Sequence, residues 1–257
     1  MTHRRILIGI LIASAISSCL IAAGTMYVAT SRYEQAMRDS KIERIGYILN
    51  RYVNDTVWRQ FTAAVGGLAS DIAQEGDMRK AVAAADREAL KRLLPETWRR
   101  NAVTSGEIPM LGVSIYRTDG TLLAEHINAA GFRSSQALPE MLAKREGNDR
   151  LAQLRGVWTD GGKPQMSVAV PVGGLKLVGY LAIHVDPLHA LRNVDDRLGM
   201  RIAFASADGI LQLLELKNFK LADDATILSG DLEVKGPEGA PVFRVNATWD
   251  ETESAQI

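Results

Sequence analysis

Residues 112–124 read Gly-Val-Ser-Ile-Tyr-Arg-Thr-Asp-Gly-Thr-Leu-Leu-Ala. From Met110 onward the residues sort with a period of two, Leu111, Val113, Ile115 and Arg117 on one side and Gly112, Ser114 and Tyr116 on the other, which is the repeat of a strand. Thr118-Asp119-Gly120 supplies a turn, and a second strand follows over residues 121–125. The segment is therefore a β-hairpin with one apolar face, and it needs a helix or another layer to cover that face.

Downstream the same period continues. Strands are expected at residues 154–159, 165–170 and 177–185, the last followed by Asp186-Pro187 as the cap and first turn of a helix running to about Leu198. Residues 200–250 form a smaller unit, with strands at 201–205, 210–214, 228–234 and 242–248 and a turn at residues 235–239. Residues 164–185 are apolar as a whole, but Gln165, Pro171, Gly173, Gly174 and Lys176 divide them into two strands around a turn.

Upstream the period changes to that of a helix. Ile42, Ile45, Leu49 and Tyr52, then Phe61, Val65, Leu68 and Ile72, recur at three- and four-residue spacing, with a slip of phase near Val53 and Val57. The Ile42–Tyr52 stripe has no obvious sheet to cover it and predicts parallel self-association of the helix. A further helix starts after Asp86, with Pro95 as its end or a kink.

Before the helix lies an uncharged run over residues 6–29, preceded by His3, Arg4 and Arg5. At the helical rise it reaches roughly 36 Å, enough to cross a hydrocarbon core. A cleaved secretory signal, and a lipoprotein signal at Ile16-Ser17-Ser18-Cys19, compete with this reading. The apolar run continues past Cys19 through Leu20, Ile21, Met26, Tyr27 and Val28, which favours an uncleaved anchor. The short basic N-terminus then stays inside and the remainder lies outside the cytoplasm.

Composition excludes several classes. With 30 basic and 30 acidic residues the formal charge is zero, against the basic excess of a nucleic-acid binder. The single cysteine, Cys19, excludes an intramolecular disulfide or a thiolate metal site. Residues 156–163 have the wrong spacing for a phosphate loop, His126, His184 and His189 are scattered, and no Gly-x-Ser-x-Gly elbow occurs, so no catalytic residue, metal or cofactor is expected.

The hairpin at 112–124, the run Val170-Pro-Val172 and the following Val178-Gly-Tyr-Leu-Ala-Ile183, set after one apolar span and a long helix, resemble the extracytoplasmic sensor regions of bacterial chemoreceptors, histidine kinases and cyclic-di-GMP signalling proteins, specifically the double-Cache type. The resemblance covers roughly residues 31–248. It implies an α+β fold: an N-terminal transmembrane helix, a long stalk helix on a PAS-like antiparallel sheet, and a smaller membrane-proximal α/β unit. The corresponding division is 1–5 cytoplasmic, 6–29 transmembrane, 30–75 stalk, 76–198 sensor domain, 199–250 second unit and 251–257 polar tail.

The implied function is a single-pass sensor of the inner membrane with its main domain periplasmic, which binds a small molecule and passes the signal toward the membrane. Its partners would be the unknown ligand, the membrane, a second copy through the stalk, and a signalling partner or a C-terminal output domain. The alternative is a non-catalytic envelope assembly or docking protein with the same fold. Strand alternation places Tyr116, Trp158, Gln165, Tyr180 and His184 on ligand-facing sides, an aromatic wall with amide, hydroxyl and imidazole groups that suits a small-molecule pocket.

Overall fold

In a computed structural model the described residues are 2–104, 108–128, 132, 137–160, 162–174, 176–216, 227–235 and 239–250, with the side chains of 2–15 and 102–104 excepted. The chain divides into two compact units, Met1–Leu49 and Asn50–Ile257.

The first unit lies on helix α1 (Thr2–Val53). Between Ile16 and Val28 its apolar side chains are exposed, Met26 and Tyr27 to 73% and 78%. The Thr25 and Thr30 hydroxyls donate to the carbonyls of Ala22 and Met26 at 2.9 Å, so these polar groups are satisfied within the helix. Among the described residues no helix is long and apolar enough to cross a membrane; of the expected span, the side chains of residues 6–15 lie outside them. Ile45 and Leu49, from the stripe expected to drive self-association, are 7% and 1% exposed.

In the second unit, the end of α1 passes without a break into a π-helical segment, Asn54–Phe61, and then α2 (Thr62–Gln74). The phase slip legible near Val53 and Val57 is this segment: one wider turn shifts the apolar stripe so that Val57, Phe61, Val65 and Ile72 are all buried. Helices α3 (Gly76–Ala83) and α4 (Arg87–Thr104) follow. Asp86 caps α4, its carboxylate accepting from Ala89 N at 3.0 Å. Pro95, expected to end or kink this helix, sits inside it. An internal proline costs about 3 kcal/mol. Burial of Leu90, Leu94 and Trp98, one turn apart on one face, holds both halves in place.

The first sheet is antiparallel, in the order β2-β1-β5-β4-β3: β1 (Met110–Tyr116), β2 (Leu122–Ile127), β3 (Leu154–Asp160), β4 (Lys163–Val172) and β5 (Gly179–Val185). The hairpin turns at Gly120, whose φ is +82° and where a Cβ would come within 2.3 Å of the Pro139 carbonyl oxygen, so only glycine fits. One face of the sheet carries Val113, Ile115, Leu181, Ile183, Val168 and Val170, all buried, and α2 packs on its β4 and β5 strands. The other face is partly covered by the short helix α5 (Ala137–Ala143), whose Leu138 and Leu142 are fully buried.

Asp186 caps the segment after β5, accepting from Leu188 N at 2.9 Å. The single helix expected to reach Leu198 is instead a 3-10 turn, Pro187–Leu191, and a short helix α6 (Val194–Leu198) ended by Gly199 at φ +62°. The second sheet, in the order β7-β6-β9-β8, comprises β6 (Arg201–Ser206), β7 (Gln212–Glu215), β8 (Ile227–Lys235) and β9 (Pro241–Asp250). The expected turn at 235–239 and the polar tail fall largely and wholly, respectively, outside the described residues. The architecture is α+β, a long N-terminal helix with two antiparallel sheets.

Candidate functional site

The register sets the site. Tyr116 pairs with Tyr180, Ser114 with Ala182 and Gly112 with His184 across β1–β5; His184 pairs with Ser167 across β5–β4, and Trp158 with Gln165 across β4–β3. Directly paired residues of adjacent strands share a face, so Tyr116, Trp158, Gln165, Tyr180 and His184 all lie opposite α2.

They form two groups on that face. At one end His184 is fully buried between two serines, with Ser114 Oγ 2.8 Å from Nε2 and Ser167 Oγ bonded to Nδ1. The Phe132 ring lies 5.2 Å from the imidazole and the Trp158 ring meets it edge-on at 6.4 Å. Trp158 Nε1 donates to Gln165 Oε1 at 3.1 Å. A Cβ at Gly112 would stand 3.2 Å from the His126 carbonyl oxygen, the tight contact at this position, with Phe132 and His184 at ordinary contact distance.

At the other end Tyr116 and Tyr180 pack with Leu138, Leu142, Ala169 and Ala182 as an apolar cluster beneath α5. The Tyr180 hydroxyl is buried there with no hydrogen-bond partner among the described residues.

Burial holds the His184 pKa down to about 3, so the ring is neutral at physiological pH. A neutral imidazole has one N–H and one bare nitrogen, so one serine accepts from it and the other donates to it. The site thus offers hydrogen-bonding groups of both senses against an aromatic edge, without a charge on the ring. Among the described residues no group of His, Cys, Asp and Glu could hold a metal ion.

Sequence alternation sets Trp158, Gln165 and His184 on the sides of their strands that the sheet brings to one face, but it does not mark the partners of the imidazole. Alternation sets Ser114 on the Tyr116 side of its strand, yet only the strand order brings Ser114 and Ser167 to one ring. Phe132 lies outside any periodic segment, and nothing local marks it.

No family model matches the sequence, and no curated protein matches it. Among solved structures, the periplasmic domain of Vibrio cholerae LuxQ is similar to 79% of this chain over 99% of its own length, with a TM-score of 0.50 and 15% identity. A domain of a sensory box/GGDEF family protein from Vibrio parahaemolyticus covers 85% of the chain and 99% of its own, at a TM-score of 0.45 and 10% identity. The ligand-binding domain of the Pseudomonas fluorescens chemoreceptor CtaA, in complex with L-isoleucine, covers 86% and 98%, at 0.42 and 14%. The fold of this chain is that of the LuxQ periplasmic domain.

Proposed function

We propose that the chain is the extracytoplasmic sensor region of a single-pass inner-membrane protein, which binds a small molecule on the sheet face opposite α2 and passes the change toward the membrane. The observation that carries this reading is the buried Ser114–His184–Ser167 cluster under Phe132 and Trp158. An apolar layer would cover this face with less desolvation of polar groups. A hydrogen-bonding cluster beside a half-buried tryptophan suits recognition. The Tyr180 hydroxyl adds a buried polar group that a ligand reaching beneath α5 would engage. The role is binding rather than catalysis.

Anchoring is supported by the uncharged sequence of residues 6–29 and by the exposed Ile16, Leu20, Ile21, Met26, Tyr27 and Val28. Self-association through α1 is assigned to Tyr33, Met37 and Tyr47, all exposed, rather than to the buried Ile45 and Leu49. At 3.6 residues per turn these three fall within an arc of about 80°.

The test is a thermal-shift screen of amino acids, carboxylates, purines and polyamines on wild type and Trp158→Ala. A ligand at about 100 times its Kd stabilises the wild type by ~2.7 kcal/mol. The variant should stay folded and lose that stabilisation. If no compound in the screen raises the wild-type Tm, the sensor reading fails in favour of a docking protein of the same fold.

A further inference from the structure

The two faces of β3 contact different parts of the second unit. Trp158 points with the site face, whereas Arg155, paired with Val168, points with the face that α2 covers. The Arg155 guanidinium donates to the Trp58 carbonyl at 2.7 Å, inside the π-helical segment. That carbonyl occupies a special position. The backbone N–H of Thr62, which in an α-helix would donate to Trp58, donates instead to the carbonyls of Val57 and Arg59. The Thr62 hydroxyl also donates to Val57 at 3.0 Å and contacts Met166 Sδ on β4 at 3.5 Å. The wider turn is therefore held from the sheet, by Arg155 of β3 and beside Met166 of β4.

β3 is an edge strand, bonded among the described residues to β4 alone, so it shifts at lower cost than a central strand. Around the junction lies an open surface cleft of about 630 Å³ lined in part by Asn54, Asp55, Trp58, Thr62, Gln153 and Arg155, room in which the segment can rearrange. Conversion of a π turn to an α turn moves the helical phase of the chain before it by one residue, about 100°.

We infer that Arg155 is a positioning residue that couples the site face of β3 to the helical register of residues 54–61, so that a change at Trp158 is read as a change in the π turn. This regulation rests on the sensor reading above, but the coupling exists without any ligand and is tested without one. Amide hydrogen exchange of the full chain is measured for wild type, Arg155→Met, Trp158→Ala and the double variant, with the central strands β4 and β5 as the control for folding.

Arg155→Met should speed exchange in residues 57–62 about tenfold, the size expected for a charge-assisted hydrogen bond, with β4 and β5 unchanged. Trp158→Ala should speed the same amides about threefold when Arg155 is present and leave them unchanged when it is Met. Wild-type rates in Arg155→Met, or an equal effect of Trp158→Ala in both backgrounds, overturn the coupling. If Arg155→Met disturbs β4 and β5, Arg155→Lys takes its place in the same cycle, and additivity there overturns the proposal equally. A failed ligand screen leaves these outcomes untouched, so the two readings fall separately.

Discussion

His184 carries a titratable group with no room for its charged form. An unfolded chain takes up the proton as pH falls through about 6.5, whereas the native chain takes it up only near pH 3. Between those values the unfolded state binds more protons, so the contribution is present in full above pH 6.5 and declines as pH falls, by about 1.4 kcal/mol per pH unit. Urea denaturation at pH 7.5 and 5.0 should show that loss in the wild type. His184→Gln, which can still bond Ser114 and Ser167, should lose less over the same interval; parallel losses would assign the pH dependence to other groups. The neutral ring is legible only from the structure. The sequence places His184 on one side of a strand, but the burial that sets its ionisation comes from residues 114, 132, 158 and 167 on four other segments.

At the level of elements, the hairpin turn and α5 are joined by Gly120. Its amide donates to the Arg117 carbonyl at 3.0 Å, and Thr121 N donates to Asp119 Oδ1 at 2.9 Å, so the turn is closed from both sides. Since a Cβ at Gly120 meets backbone of α5 and the left-handed φ is unfavourable for other residues, Gly120→Ala should destabilise the domain by roughly 1–3 kcal/mol. The loss should appear in thermal melts together with faster proteolysis within residues 137–143. An unchanged Tm would mean that α5 moves aside at no cost. The strand alternation, the Asp-Gly turn and the Asp86 and Asp186 caps were readable because each depends on residues within a few positions. The helical phase slip was readable for the same reason; its partner Arg155, almost a hundred residues away, was not.

For the whole molecule the proposed topology predicts that alkaline phosphatase fused after Gln256 is active in cells, while a fusion shortened to end at Arg5 is not. Self-association is tested in membranes with Cys19 replaced by serine and a cysteine placed at Tyr33 or Met37. Disulfide-linked dimers at these positions, and none at Ile45, are expected from the exposure of each site. Crosslinking at Ile45 alone would return the interface to the stripe read from periodicity.

What the sequence determined by itself is the list of elements, their periods and the side of each strand on which a residue falls, because those follow from backbone geometry and neighbouring residues. Pro95 continuing a helix, and Tyr116 and Tyr180 packing under α5 while Trp158, Gln165 and His184 gather around two serines, were decided by tertiary structure. Each depends on strand order and register between segments distant in the chain, and the burial gained there outweighs what local propensity would choose.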